Sequence, residues 1–549
     1  MTHQAATEKT VKQFRQILVW PLQLDSTGRD RYHRHWEVLE SLPDHPWQLH
    51  DNEMGTTDGK FKERHYREFV AFLPYVQRFL YGYRSKHHNG QGQRTRRLSL
   101  RIYRRRDISA VRIQLSRDQA PVTLSLKHAD LYFFNDLDIV LLNIEVEATN
   151  LPLHTARELM YRFGRAYPTG WDEHGESLHN SFSTEWLDHA GQVLASSSAL
   201  QREHFLDFTA ANHTTGISAH WAWLLQPLVL DASDEPGSLR FHQVEYHRMP
   251  LLGYLAIDNP RSLERDDWIR LGLVSTLHPD EPLPTRESYV AQFEERHCYD
   301  RYWTNTAAGP NTRFLCTGSA LIVVGDSDSR FFLNPETGLL GQFRHQISLL
   351  FLIAHLHRSA LLSFSDRMAN NIDALVVGDN ASVRRFKRSV RTAHESFLRF
   401  SHRYWFHEVS ERAHIQALFG MTRGLLGTES LHAEVQAEMR EMSYYLDSDA
   451  QRRESNTMMR LTVVTTLGLI GTLVTGFFGM NLLAMSDEPM PLRIGVFALG
   501  VVIFTGMTLL AVVKSKRVTD LLEALSDESL SKKDRRRALR DVLRRSGGQ

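Results

Sequence analysis

The stretch "TGFFGMNLLAMSDEP", Thr475–Pro489, ends a long apolar run near the C-terminus and then turns acidic. Leu461–Met480 contains twenty residues without a charged side chain, and Ile494–Val513 contains another twenty. At about 1.5 Å per residue, each segment reaches roughly 30 Å as a helix, which is the thickness of a bilayer core. Two such segments in tandem predict a membrane hairpin that is joined by the short acidic loop.

The charges that flank the two segments predict their orientation. Basic side chains lie before the first segment and after the second, at Arg452, Arg453, Arg460, Lys514, Lys516 and Arg517. The connection between the segments carries Asp487, Glu488 and one base, Arg493. The positive-inside rule therefore predicts that both termini are cytosolic and that the loop is external. The basic stretch Ser531–Arg545 is typical either of a helix beside an anionic leaflet or of a solvated surface helix.

The composition of the whole chain is that of a soluble protein. Its 549 residues predict more than one structural unit, and the formal net charge of +1 gives no support to a nucleic-acid partner. The N-terminal residues have no apolar signal region, so the N-terminus is expected to stay in the cytosol. Cys298 and Cys316 are predicted to be reduced, packed thiols.

Residues 1–340 mix strand and helix patterns and predict a cytosolic α/β domain. Gln16–Leu24 is strand-like, Arg96–Ser116 is typical of a β-hairpin, and Asp130–Ala148 has two β-rich runs around an Asn-Asp turn. Leu151–Tyr167 predicts a helix, and Thr312–Asn334 predicts another pair of strands.

Long helices are predicted from about residue 341, so residues 341–456 are expected to be a cytosolic helical and stalk region. The apolar segment Ser348–Leu362 is interrupted by charge-bearing side chains and predicts a buried helix rather than a span. Gly427 predicts a turn. After the turn, the 4-3-4 spacing of apolar residues is typical of a heptad seam, at Val435, Met439, Met442 and Leu446.

The last of these helices is predicted to continue into the membrane. No proline occurs between Pro335 and Pro489, so the helix can run unbroken from about Ser430 into the first span. The predicted order is a first span at 457–482, an external loop at 483–493, a second span at 494–514 and a basic cytosolic tail at 515–549.

The segment Asn456–Asn481 resembles the pore helix of the CorA magnesium transporters, and the resemblance extends to Arg517. The signature of that family is Gly-Met-Asn at the outer end of the first of two C-terminal spans. The resemblance implies a homopentamer in a bacterial inner membrane, with a funnel-shaped cytosolic α/β domain, a stalk helix and a five-fold pore. The chain departs from the family at Ile470, which replaces a common proline, and in extra residues around His174–Leu230.

The same resemblance implies roles for individual residues. A ring of Asn481 amides with Gly479 carbonyls would hold hydrated Mg²⁺ while Met480 packs sideways, and Asp487 with Glu488 would attract cations outside. The pore-lining positions would be Thr472, Leu469, Thr465 and Leu461, although these residues could instead pack against lipid or neighbouring helices. On the stalk, Asp447 and Asp449 could bind a regulatory metal ion or belong to a solvated helix face.

The function expected from this resemblance is passive Mg²⁺ uptake, with Mg²⁺ as the transported and regulatory ion and no other cofactor. The chain has 28 histidines but no HExxH, GxSxG or GxxxxGK motif, so no enzyme activity is expected. Partners would be copies of the chain, the bilayer and divalent metal ions. Two alternatives stay open: transport of Zn²⁺, Co²⁺ or Ni²⁺, and a ligand-gated membrane effector that uses the pore for signalling. An arginine-rich ligand pocket would favour the effector.

Overall fold

The computed structural model of the protein describes residues 9–26, 34–50, 63–88, 94–198, 200–245, 247–275, 281–283, 286–304, 311–376, 379–481, 488–500, 502, 503 and 506. The chain divides into two compact units, unit 1 at Met1–Ala437 and unit 2 at Glu438–Gln549.

Unit 1 contains the strands of the described chain. They are β1 Thr10–Ser26, β2 Trp47–His50, β3 Tyr83–His88, β4 Arg94–Arg97, β5 Leu100–Arg105, β6 Ala110–Gln114, β7 Val122–Phe134, β8 Ile139–Pro152, β9 Ser183–Leu187, β10 Val193–Ser198, β11 Leu228–Leu230, β12 Leu239–Gln243, β13 Leu251–Ile257, β14 Cys298–Tyr299, β15 Arg313–Cys316 and β16 Ala320–Asp326.

Helices connect these strands and then continue to the end of the described chain. They are α1 His35–Ser41, α2 Glu63–Phe69, α3 Pro74–Tyr81, α4 Leu153–Arg162, α5 Arg202–Asn212, α6 Ala219–Leu225, α7 Arg265–Leu273, α8 Glu287–His297, α9 Arg330–Leu333, α10 Leu339–Gln342, α11 Ser348–Asp373, α12 Asn380–Arg403, α13 Ala413–Leu426, α14 Thr428–Asn481 and α15 Met490–Gly500. A 3₁₀ turn, Pro260–Ser262, precedes α7, and a π-helical turn, Phe343–Ile347, joins α10 to α11.

One large sheet forms the centre of unit 1. Its strands follow the order β10-β9-β6-β7-β8-β1-β13-β16-β15-β14, while β12 pairs with β1 and β5 pairs with β7. The pairing is antiparallel except for β13 with β16 and β11 with β12. The predicted strand at Gln16–Leu24 is confirmed as part of β1, which forms antiparallel pairs with β8 along most of its length.

The pairing predicted inside Arg96–Ser116 is wrong, although both strands exist. β5 and β6 do not pair with each other, and each is antiparallel to a different half of β7. They therefore lie one after the other along one edge of β7, while β8 occupies its other edge. β7 has thirteen residues and is long enough to pair with both short strands. β5 and β6 therefore pair with β7 instead of with each other.

The other strand and helix predictions of the α/β region are confirmed. β7 and β8 form the hairpin expected around the Asn-Asp turn, where Asp136 takes a φ of 65°. β15 and β16 pair as expected, and α4 lies within the predicted helix Leu151–Tyr167. Cys298 and Cys316 are free thiols, as predicted.

Helices cover both faces of the central strands. A Cβ on Gly253 of β13 would lie 2.8 Å from the sulfur of Met160, so α4 packs closely on this face. The next residue, Tyr254, points to the opposite face because side chains alternate along a strand. There its ring stacks on Phe332 and contacts Phe343 of the π-helical turn, at centroid distances of 4.4 and 5.3 Å. This two-sided cover explains why β8 begins with an unbroken apolar run.

Glu145 forms an ion cluster between the sheet and the helices. It lies on β8 with 1 % of its side chain exposed, and its carboxylate accepts a hydrogen bond of 2.7 Å from Arg15 of β1. Arg344 of the π-helical turn donates to both carboxylate oxygens at 2.7 and 3.0 Å. Burial by itself would raise the pKa of Glu145, but His128 and Arg344 hold that pKa well below its usual value.

The helical region begins as predicted but is interrupted between α11 and α12 and again after α12. α12 ends at Arg403, and residues 404–412 are not helical before α13 begins. The predicted turn at Gly427 is confirmed, because this residue caps α13 with a φ of 64° and α14 starts directly after it. Trp405 in the break stacks on His432 of α14 at 4.3 Å, which joins the break to the first turns of the next helix.

Glycine substitutions on either side of the α13 terminus should have opposite effects on stability. Gly427→Ala should reduce the free energy of unfolding by about 1 kcal/mol, because alanine is strained at positive φ. The added Cβ would meet only Ser430 Oγ at 3.5 Å, so backbone strain is the whole cause. Gly420→Ala, in the interior of α13 with open space around the new Cβ, should raise it by about 0.5 kcal/mol. Denaturant unfolding of the full-length protein in detergent measures both, and equal effects would contradict the assignment of Gly427.

Replacing Glu145 should change how stability depends on pH. The pKa of Glu145 is lowered in the folded chain, so its stabilisation is complete above about pH 4.3 and is lost as the pH falls below that value. Glu145→Gln should cost about 3 kcal/mol at pH 7 because it removes the carboxylate that Arg344 binds and leaves Arg15 with Glu147 alone. The gap between parent and variant should narrow in acid.

Urea unfolding followed by tryptophan fluorescence at pH 7 and at pH 3.5 measures that gap. The control is Glu395→Gln, whose carboxylate is 53 % exposed in a single ion pair with Arg391. This control should stay within about 0.5 kcal/mol of the parent at both pH values. A gap for Glu145→Gln that is constant with pH would contradict the role of its charge.

Candidate pore helix and neighbouring sites

α14 is a continuous helix of 54 residues from Thr428 to Asn481. The predicted unbroken helix is therefore confirmed, with a start two residues before Ser430. At about 1.5 Å per residue it is about 80 Å long. The absence of proline and the predominance of helix-forming residues in its first half explain this length.

The heptad seam is seen in the first part of α14. Val435 and Met439 are buried, and Met442 is half-buried. The side chain of Leu446 lies outside the described residues. Asp447 is exposed, and the side chain of Asp449 is also outside the described part. No group of three or more histidine, cysteine or acidic side chains that could hold a metal occurs among the described residues.

The four predicted pore-lining residues lie on one stripe of α14. Leu461, Thr465, Leu469 and Thr472 fall within about 80° of one another at 100° per residue. All four side chains are exposed in the single chain, and those of Leu461 and Leu469 are 64 % and 65 % accessible. Apolar side chains this exposed need to be covered by lipid or by other subunits. Both a pore-lining position between subunits and packing against lipid or neighbouring helices would cover them.

The threonine hydroxyls along this helix donate to its own backbone. Thr465 Oγ1 donates to the Leu461 carbonyl at 2.9 Å, and Thr472 Oγ1 donates to the Gly468 carbonyl at 3.0 Å. Because a hydroxyl has one proton and two lone pairs, each oxygen still offers acceptor sites after this bond forms. The stripe therefore presents hydrogen-bond acceptors from Thr465 and Thr472 between two leucines.

The proposed filter residues end the helix. Gly479 is half-buried, and a Cβ there would meet no atom within 4 Å among the described residues. Met480 and Asn481 are the last two helical residues, and their side chains lie outside the described part of the chain. Asp487 is also outside it, whereas Glu488 is exposed at the start of the next segment.

The second predicted span is described only in its first half. α15 begins at Met490 and is apolar to Gly500 apart from Arg493, with Ile494 62 % exposed. Within the described residues, the stretch that is long and apolar enough to cross a membrane is Leu339–Asp373, and 83 % of its apolar window is buried. It includes Ser348–Leu362, which was predicted as a buried helix, and His355 and His357 within it are fully enclosed.

Sequence reasoning missed a cavity of about 700 Å³ in unit 1, which we call the arginine cavity. Its walls include Arg165, Arg248 and Arg358 with His355, and these residues come from three distant parts of the chain. No spacing in the sequence joins them. The one available signal was the interruption of an apolar helix by His355 and Arg358, which marks a helix that faces something polar.

Comparison with known proteins finds a family match in the C-terminal part of the chain. Residues 362–517 match the protein family described as "CorA-like Mg2+ transporter protein". Among solved structures, "The complete structure of CorA magnesium transporter from Methanocaldococcus jannaschii" aligns with 49 % of this chain and 94 % of its own, at 14 % identity and a TM-score of 0.15. A TM-score this low carries no argument about the fold. No curated protein sequence matches the chain.

The family match covers the end of α11, α12, α13, all of α14 and both apolar segments. It includes the segment Asn456–Arg517 on which the resemblance was based. The C-terminal region of the chain, residues 362–517, is therefore similar to the CorA-like Mg²⁺ transporter family.

Proposed function

We propose that the chain is one subunit of a homopentameric divalent cation channel that lets Mg²⁺ enter a bacterial cell across its inner membrane. The observation that carries this proposal is the continuous α14, which lies wholly within the family match and ends at Gly-Met-Asn. Both termini would be cytosolic. The domain order predicted from the sequence, with a cytosolic part at 1–340 and 341–456, spans at 457–482 and 494–514, a loop at 483–493 and a tail at 515–549, is part of the proposal.

The chemistry of hydrated Mg²⁺ fits the side chains of the stripe. Mg²⁺ loses its coordinated water molecules reluctantly. A pore that passes the hydrated ion must therefore accept hydrogen bonds from that water. The hydroxyl groups of Thr465 and Thr472 donate their protons to backbone carbonyls, so each oxygen faces the pore only as a hydrogen-bond acceptor. Five copies of each would form two acceptor rings, separated by the apolar ring of Leu469.

The leucines supply the means of closure. In this proposal, rings of Leu461 and Leu469 narrow the pore and stop conduction when water leaves the constriction. Their exposure in the single chain is consistent with a surface that meets other copies of itself around an axis.

Asn481 would act from the end of the helix rather than from the same stripe. It lies nine residues beyond Thr472, which is half a turn out of phase at 100° per residue. A ring of Asn481 amides with Gly479 carbonyls at the outer mouth would bind the water shell, with Met480 packed sideways. Asp487 and Glu488 would raise the local cation concentration outside.

The driving force needs no nucleotide hydrolysis. A membrane potential supplies about 2.3 kcal/mol per charge for each 100 mV, and a divalent ion gains twice that amount. Intracellular Mg²⁺ bound between subunits could close the channel, and Asp447 and Asp449 on the stalk are the proposed carboxylates for it.

Two alternatives share the same pore. Zn²⁺, Co²⁺ or Ni²⁺ would pass through the same acceptor rings, and influx of each ion into proteoliposomes would rank their permeabilities. A ligand-gated membrane effector is the second candidate, and the arginine cavity is the observation that favours it.

Removing the amide at position 481 should abolish selective uptake. Mg²⁺ influx into proteoliposomes that contain an ion-sensitive dye should fall at least tenfold in Asn481→Ala, because the mouth loses its ring of acceptors. The control Thr466→Ala removes a polar group about 100° away from the centre of the stripe and should retain influx. Equal influx in the parent and in Asn481→Ala would contradict the filter.

Position 472 tests the acceptor rings separately from the mouth. Thr472→Val keeps the side-chain shape but removes the oxygen, and it should reduce Mg²⁺ influx about tenfold in the same assay. Thr472→Ser keeps the oxygen and should restore most of the influx. If valine and serine behave alike, Thr472 packs against lipid or a neighbouring helix and does not line the pore.

A further inference from the structure

The arginine cavity lies where three parts of unit 1 meet. Arg165 follows α4, Arg248 lies between β12 and β13, and Arg358 is on α11, where it lines the cavity together with Leu425 and Leu426 at the end of α13. Its volume of about 700 Å³ is in the range of pockets that hold small organic molecules.

The charge of the cavity wall is positive. Three guanidinium groups face it, and Glu245 is the one carboxylate among the described wall residues. Glu245 is already engaged, with its Oε1 at 3.4 Å from Arg358 Nε and 3.7 Å from His355 Nδ1. The side chains of the wall therefore carry an excess of about two positive charges.

Arg165 and Arg248 are held side by side despite their like charge. Their backbones form an isolated antiparallel bridge. Burial and the charge of Arg165 lower the pKa of Arg248 to about 10. Nη2 of Arg248 is buried and has no hydrogen-bond partner among the described residues. A cation in this position is destabilised unless an anion is bound beside it.

The histidines His247 and His355 on the cavity wall do not supply a negative charge that would balance the arginines. Arg165 Nη1 donates to His247 Nε2, so the His247 ring accepts that bond as a neutral imidazole. Burial, with the charges of Arg165 and Arg248, lowers the pKa of His247 to about 4. His355 has no exposed surface, and neither of its ring nitrogens has a hydrogen-bond partner among the described residues. Glu245 Oε1, at 3.7 Å from Nδ1, is too far for a hydrogen bond, so this buried ring is polar without a hydrogen bond in the described chain.

We propose that the arginine cavity binds an organic anion that carries phosphate groups. Guanidinium groups pair with phosphate oxygens in a bidentate manner, and a polyphosphate supplies the two or more negative charges that a single carboxylate cannot. The volume exceeds what a phosphate group fills. Hydroxyl groups of Thr317 and Ser319 on the wall can bind the polar groups of the organic part.

The cavity is built next to the start of the proposed pore helix. Arg358 Nη1 donates to the Leu426 carbonyl at 3.2 Å, and only Gly427 separates Leu426 from α14. An anion that draws Arg358 into the cavity would compete for this bond. The ligand would thus regulate the channel through the turn at Gly427, and this regulatory part rests on the proposed function.

Calorimetric titration of the full-length protein in detergent tests the binding site without any measurement of ion flux. The probes are sodium tripolyphosphate and ATP, each in the presence of EDTA. Both should bind, and Arg248→Met and Arg358→Met should each weaken binding at least tenfold. Arg248→Met should also leave the melting temperature of the ligand-free protein unchanged or higher, because it removes a buried charge that lacks an anion.

A second cationic groove of unit 1 provides the matched control. Arg399 lies in that groove and forms an ion pair with Asp136 at 3.8 Å, so Arg399→Met removes an arginine without touching the arginine cavity. It should bind both probes as the parent does. The proposal would be overturned if neither probe bound the parent protein. It would also be overturned if Arg399→Met lost as much affinity for the probes as Arg248→Met.

Flux then tests the regulatory part. Tripolyphosphate trapped inside proteoliposomes should change Mg²⁺ influx at least threefold in the parent and not in Arg248→Met. Binding with no change of influx in a conducting parent would overturn regulation while the binding site stands. A parent that binds the probe but conducts no divalent ion with or without it contradicts the channel and not the cavity.

Discussion

The buried charge of Glu145 is the interaction on which the arrangement of unit 1 depends. Its carboxylate is matched by Arg15 of the neighbouring strand and by Arg344 of the π-helical turn. A charge removed from water is tolerated only where its partners are in place. The same carboxylate therefore joins β8 to β1 and joins the sheet to the π-helical turn.

Features governed by short stretches of sequence could be predicted. The β7–β8 hairpin follows from two apolar runs around an Asn-Asp turn, and Gly427 marks a helix end because it adopts positive φ at little cost. The length of α14 follows from the absence of proline. The family resemblance of Asn456–Arg517 also depends on local residues, and the family match includes that segment.

Features that depend on distant partners could not be predicted. β5 and β6 have the composition of a hairpin, yet both pair with β7, and nothing in either strand indicates that a longer partner is available. The arginine cavity is a stronger case, since Arg165 and Arg358 are separated by almost two hundred residues. For the proposed pore residues the reason is different: the roles proposed for them depend on contacts with other copies of the chain, which one sequence does not specify.

The π-helical turn Phe343–Ile347 determines the rotation about the helix axis between two groups of charged side chains, the Glu145 cluster and the arginine cavity. Arg344, within the turn, binds Glu145, whereas His355 and Arg358, after it, face the arginine cavity. A π turn holds one residue more than an α turn, so deleting one residue there would restore a regular helix and rotate one group against the other by about 100°. Evolutionary loss of this residue would spare the helix but separate the two groups. Relatives that lack this residue are expected to retain the charged residues of either the Glu145 cluster or the arginine cavity, but not of both.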